Sequence, residues 1–164
     1  MPGDFKAGQD YTVFRLTNQD MHVAPLVCFE DTIGELTRKF VLGGASLLVD
    51  VTNDGWFLHS AGSQQHLANA IFRCVETRRP MIRAANTGVT CFVNDFGRVT
   101  QLLQDETGST FTEGVLTGEI DVPTRPEQTF YTRHGELFAK VCTCVTPVAL
   151  VIFVVSGLVR RRRL

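Results

Sequence analysis

The chain is expected to fold as a mixed α/β layered domain followed by one membrane-spanning helix. Three features of its 164 residues lead there. Short apolar runs alternate with amphipathic helical stretches over residues 20–80, several short β-type runs follow, and an uncharged 19-residue stretch lies near the C-terminus.

The elements follow in order. Tyr11 to Leu16 alternates apolar and polar and is rich in aromatic and β-branched residues, so it is predicted as a strand. Asn18-Gln19-Asp20 would turn it into a hairpin with the strand that ends at Val27. Thr32 with Glu35 reads as a capping box, and Ile33, Leu36, Phe40 and Val41 fall at helical spacing before Gly43-Gly44 ends the helix. Leu47 to Val51 is nearly all apolar, the pattern of a strand buried on both faces. Ser63 to Arg79 is the longest helical pattern, with Leu67, Ala70, Ile71, Cys74 and Val75 on its apolar side and Pro80 as its stop. Further strands are predicted over Met81 to Ala85, Val89 to Val93, Arg98 to Leu103 and Gly114 to Val122, with a surface loop over 104–113.

Val141 to Val159 carries no charge and lies between Lys140 and the run Arg160 to Arg163. At about 1.5 Å per residue it reaches across a hydrocarbon core of about 30 Å. Pro147 is acceptable there as a kink. The positive-inside rule puts the arginines in the cytoplasm and the preceding domain in the opposite compartment. The domains are therefore read as 1–135 for the α/β part, 136–160 for the membrane helix and 160–164 for a basic tail. Apart from those four arginines the chain holds 12 basic and 17 acidic side chains with no basic stripe, which argues against nucleic acid as a partner. Five cysteines at irregular spacing, without a CxxC or a His pair, support neither a zinc site nor a disulfide framework, and no metal or cofactor is expected.

The chemistry concentrates at Cys28. An apolar run ends there and a helix-starting segment follows, which would expose the thiol at a sheet edge and aim backbone N–H groups at it. Such a setting lowers a thiol pKa from its free value of about 8.5 and favours the thiolate. Free cysteine is also among the most buried side chains, so residue type alone favours a packed, structural thiol. Glu30 lies where it could orient groups around the sulfur. The turn Thr52-Asn53-Asp54-Gly55-Trp56-Phe57 after the third strand reads either as a site edge or as a surface turn with Trp56 folded onto the core. His66 could be a base or a hydrogen-bonded structural residue, and Glu76 a surface or ion-paired group.

Pro25-Leu26-Val27-Cys28-Phe29-Glu30-Asp31, Leu48 to Phe57, Gln65-His66-Leu67-Ala68, Arg78-Arg79-Pro80 and Arg83-Ala84-Ala85-Asn86-Thr87-Gly88 resemble the carbon-nitrogen hydrolase (nitrilase) superfamily, in this order over nearly the whole chain. The Thr-Asn-Asp-Gly-Trp-Phe segment, Thr129 to Gly135 and the terminal helix narrow the resemblance to the C-terminal part of the bacterial apolipoprotein N-acyltransferase family. It implies part of an α-β-β-α sandwich on the periplasmic side of the inner membrane. It also implies ping-pong transfer of a fatty acyl chain from a phospholipid, through a cysteine thioester, to the N-terminal amino group of a lipoprotein. Carried over, Cys28 is the nucleophile and Glu30 the supporting carboxylate. The backbone N–H of Phe29 would hold the oxyanion, a contribution of about 3 kcal/mol for a preorganised donor. Asn53, Trp56 and Phe57 would line the substrate pocket with Phe29. Family members often have Tyr at the place of Phe29 and Asn at that of Asp50.

The resemblance also implies a departure. The superfamily's general-base Glu and oxyanion-stabilising Lys precede the cysteine strand, and of the 27 residues before Cys28 only Lys6 is a lysine, outside a matching motif. The chain thus resembles the last third of the enzyme and is expected to need the missing N-terminal half, or a partner carrying those two residues, to be active. Two other readings are a membrane-anchored amidase of the same superfamily and a non-catalytic subunit.

Overall fold

The computed structural model describes residues 8–124 and 127–161, with side chains through Ser156. Lys6 and the arginines of the basic tail are outside this description of side chains. The elements are β1 (Phe14–Leu16), β2 (Met21–Val27), α1 (Gly34–Leu42), β3 (Leu47–Asn53), α2 (Gly62–Thr77), β4 (Met81–Asn86), β5 (Cys91–Val93), β6 (Val99–Leu102), α3 (Phe130–His134) and α4 (Leu137–Arg161).

The strands form one six-stranded sheet in sequence order, β1-β2-β3-β4-β5-β6. The predicted hairpin pairs Phe14 with Val23 and Leu16 with Met21. The centre is parallel, β2 with β3 and β3 with β4, because α1 and α2 return the chain to the same end each time. β5 and β6 then add antiparallel. Register puts Ala24 beside Leu48 and Leu48 beside Met81, so one face presents a continuous apolar row. Phe40 and Val41 of α1 and Leu67, Ala70 and Cys74 of α2 close over it, making one core with Val89, Cys91 and Val93. Each fully buried Leu or Met there contributes about 1.5–3 kcal/mol by leaving water. Burial also pushes the Cys91 thiol up to about 11 and raises that of Cys74, so both stay protonated and inert.

The opposite face alternates with this one. Val27 and Val51 on it are 57% and 49% exposed, although their strand neighbours Leu26 and Asp50 are fully buried. One sheet with helices on one face is half of an α-β-β-α sandwich.

Three expectations are corrected. Gly114 to Val122 is not a strand: the segment is extended but joins no ladder, and its contact with β6 is a side-chain bond from Gln101 Nε2 to the Glu119 carbonyl at 3.3 Å. Gly114 and Gly118 leave it without side chains to seat against the sheet. The capping box at Thr32 and Glu35 also does not form. Thr32 donates to the Phe29 carbonyl at 2.7 Å and Glu35 pairs with Arg38 at 3.0 Å, so α1 starts at Gly34 without a side-chain cap. Finally, the buried β3 carries exposed Val51 and Asn53 at its end, where the helices no longer cover it.

Arg79 fastens the other end of the sheet. Its Nε donates to the Ala45 carbonyl and its Nη1 to that of Thr77, both at 2.8 Å, and burial lowers its pKa to about 10. From there the chain reaches α3, where Arg38 Nε donates to the Thr132 carbonyl at 2.9 Å. Helix α4 therefore starts beside α1. Its Leu137–Ser156 window has a mean hydropathy of 2.3 and none of it is buried against the described residues, which is compatible with a membrane anchor. Thr143, Thr146 and Ser156 donate their hydroxyls to carbonyls four residues back at 2.7–2.8 Å, satisfying those donors inside the helix, as an apolar medium requires.

Gly88, at φ +121, supports the turn after β3: a Cβ there would stand 2.7 Å from Asp54 Oδ2. Gly88→Ala combines strain at positive φ with a clash on a buried carboxylate. It is expected to lower stability by about 2–4 kcal/mol in a denaturant titration.

Candidate active site

The parallel strands β2, β3 and β4 end at one edge, and two 3-10 turns leave from it: Cys28–Thr32 after β2 and Asp54–Phe57 after β3. Cys28 is half-buried and has φ +53, a left-handed conformation that costs a non-glycine residue about 1–3 kcal/mol. Short bonds hold it. The Val27 N–H donates to Glu30 Oε2 at 2.8 Å, and the Ile33 N–H donates to the Glu30 carbonyl at 3.1 Å. Glu30 thus folds back behind the thiol and braces the backbone that carries it. Among the described cysteines, Cys28 combines a sheet-edge turn with partial exposure; Cys74 and Cys91 are buried, and Cys142 and Cys144 lie on α4.

The second turn is closed by Asn53, whose Oδ1 accepts from the Gly55 N–H at 3.1 Å, and is tied to β4 by the bond from the Asp54 N–H to the Thr87 carbonyl. Phe57 meets Phe29 edge-to-face at 6.0 Å, and Phe29 lies nearly flat on the His66 ring at 4.7 Å and 24°. These three residues line a small cleft of about 170 Å³ with Gly62, Gln65 and Asn69. Neither Asn53 nor Trp56 reaches it: Asn53 caps its turn, and Trp56 is 86% exposed at the rim instead of folded onto the core. A larger cleft of about 490 Å³ lies at the end of β4 between Asn86, Thr87, His59 and Glu113.

Under both turns lies a fully buried charge cluster. His66 Nδ1 is 2.8 Å from Asp54 Oδ1 and Nε2 is 2.9 Å from Asp31 Oδ1. Arg83 donates to Asp31 Oδ2, to Asp50 Oδ2 at 2.6 Å and to Asp54 Oδ2 at 3.3 Å. Thr52 Oγ1 adds a bond to Asp54 Oδ1 at 3.1 Å. Burial pushes the Asp50 carboxyl up to about 8; the Asp31 and Asp54 charges add to this, against the pull of Arg83. Arg83 also approaches His66 Nδ1 at 3.0 Å, so the ring and the guanidinium share the same carboxylates. A protonated Asp50 also matches an asparagine in shape and charge.

Sequence reasoning leaves His66 as structural or basic and gives no site role to Asp31, Asp54 and Arg83. One signal for them is legible: an arginine inside the apolar strand Met81 to Ala85 must bury its charge, and burial requires partners. Glu76 is ion-paired, 3.0 Å from Arg73.

Asp50 sets a pH dependence. Its folded pKa, about 8, exceeds the unfolded value of about 4. The stability from its bound proton is therefore complete below about pH 4 and is lost as pH rises to about 8. Asp50→Asn should remove that contribution: unfolding curves from pH 4 to 9 are expected to show wild type losing ground to D50N up to about pH 8 and running parallel above it.

The model for the carbon-nitrogen hydrolase family matches residues 4–127. The chain is 38% identical over 140 residues to an apolipoprotein N-acyltransferase of Geobacter metallireducens, covering 85% of this chain and 25% of that protein. It is 33% identical over 153 residues to one of Thermotoga maritima, covering 93% and 29%. With one of Chlorobaculum tepidum it shares 41% over 138 residues, covering 82% and 25%. The chain thus spans about a quarter of the length of these curated relatives. The crystal structure of a carbon-nitrogen hydrolase from Helicobacter pylori G27 superposes with a TM-score of 0.58 at 16% identity, covering 74% of this chain and 45% of that one, a likeness of fold. A sheet of this topology, a strand-end cysteine and a family match over most of the length agree, and the chain belongs to the carbon-nitrogen hydrolase family.

Proposed function

We propose that this chain is the thiol-bearing C-terminal part of an N-acyltransferase. The Cys28 thiolate attacks the ester carbonyl of a phospholipid, the thioester forms and the lysophospholipid alkoxide leaves with a proton. The α-amino group of a lipoprotein's N-terminal lipidated cysteine then attacks the thioester, forming the amide and returning the thiol. The Phe29 N–H stabilises the oxyanion in both steps, and Phe29 and Phe57 give the acyl chain an apolar wall. The general-base Glu and the Lys of the family are contributed from outside these 164 residues.

The observation that carries the reading is the position of α4. An apolar helix with no buried side chain starts beside α1, the helix that follows the cysteine turn, with Gly135 packed against Glu35 and Arg38. This favours a substrate drawn from the bilayer. The domain is read as periplasmic and the arginine tail as cytoplasmic, in the inner membrane. Domain limits of 1–135 and 136–160 follow from the same reading.

In membranes carrying the full-length natural polypeptide, incubation with a phospholipid is expected to add one fatty acyl mass to the Cys28 peptide, labile to neutral hydroxylamine and absent in Cys28→Ala. A Cys28 that stays unmodified while a full-length relative is acylated overturns the reading. Release of free fatty acid in place of an N-acylated lipopeptide would assign the second step to water, as in an amidase. Glu30→Ala, which frees the Val27 N–H, should slow acylation by about 10-fold or more through misplacement of the thiol, whereas Glu30→Gln, which keeps an acceptor, should retain most of the rate.

A further inference from the structure

The two turns that carry Cys28, Phe29 and Phe57 are not bonded to each other through their backbones. Beyond the edge contact of Phe29 with Phe57, what joins them lies beneath. His66 bonds Asp31 of the first turn through Nε2 and Asp54 of the second through Nδ1, at 2.9 and 2.8 Å, and its ring face supports Phe29. The ring is 3% exposed, so solvent does not compete. Arg83 reaches the same two carboxylates and Asp50 from below.

We propose that His66 is the positioning residue of this site: it locks the cysteine turn to the Asn53–Phe57 turn through Asp31 and Asp54 and holds Phe29 in place by stacking, acting on Cys28 through those residues. The proposal rests on Cys28 being the nucleophile. Residue 29 is clamped between the thiol and Asp31, so a shift of Asp31 moves both the sulfur and the N–H intended for the oxyanion. A displacement of about 1 Å in such a site costs about 100-fold in rate.

The cluster also makes positioning sensitive to pH. The groups facing Asp50 are Asp31 from the cysteine turn, Asp54 from the second turn, Arg83 from β4 and, more weakly, Cys91 from β5; His66 of α2 meets Asp31 and Asp54. Loss of the Asp50 proton adds a negative charge beside Asp31 and draws Arg83 away from it.

The test uses the full-length enzyme in membranes. Two variants separate the contacts: His66→Gln keeps one carboxylate bond, and His66→Phe keeps the stacking surface and loses both bonds. The rate of Cys28 acylation at saturating phospholipid is expected to fall about 10-fold in H66Q and about 100-fold in H66F, with the half-saturating phospholipid concentration within twofold of wild type. Alkylation of Cys28 by iodoacetamide, which needs no acyl donor, should slow in the same order. Folded variants that alkylate Cys28 at the wild-type rate overturn the proposal whatever the natural substrate proves to be. Missing acylation in wild type with alkylation still dependent on His66 would overturn the acyltransferase reading and leave the positioning role standing. Should both variants fail to fold, Asp54→Asn, which weakens the His66 tie to the second turn, decides: Cys28 alkylation is expected to slow, and alkylation at the wild-type rate overturns the proposal.

Discussion

The buried pairing of Arg83 and His66 with three aspartates is the constraint on which this fold depends. Those five residues come from two turns, two strands and one helix, and none of their charges is open to water. Removing one partner from such a set costs about 3–5 kcal/mol, because the charge left behind has no solvent to turn to. Replacing the whole set by apolar residues is often neutral or stabilising. An ion cluster in this place is therefore better explained by what it orients than by what it adds to stability.

The cluster also explains how an energetically poor backbone persists beside the thiol. Cys28 holds a left-handed φ, and the 3-10 turn it opens is too short to stabilise itself. Local bonds from Glu30 and Thr32 close the turn, while Asp31, through His66 and Arg83, and the Thr32 carbonyl, which accepts from Arg73 Nη1 at 2.9 Å, tie it to the rest of the domain. The sheet supplies three parallel strand ends at one level, the usual place for a site in open α/β sheets. The cluster then fixes how the loops leave it.

Much of the architecture is legible in the sequence. The hairpin at 18–20, both amphipathic helices, the central strands and the apolar terminal helix rest on periodicity, which reports local burial directly. What fails are local signals with a stronger competitor. Thr32 is a plausible helix cap, but the Phe29 carbonyl takes its hydroxyl, and Gly114 to Val122 has strand-like residues but joins no ladder. Near the cysteine turn, Phe29 and Phe57 meet edge-to-face, whereas Trp56 projects from the rim and Asn53 closes its own turn. Asp31, Asp54 and Arg83 escape because their partners are 12 to 52 residues distant, and spacing along the chain carries no trace of such pairings.

The backbone at Cys28 carries an evolutionary corollary. A left-handed residue that must remain there disfavours valine, isoleucine and threonine on steric grounds, but admits glycine, asparagine and, at a modest cost, serine or alanine. A lineage that abandoned the chemistry could therefore keep the domain intact by drifting to one of those small residues. Inactive descendants of this fold should be recognisable by which residue has replaced the thiol, with the turn around it unchanged.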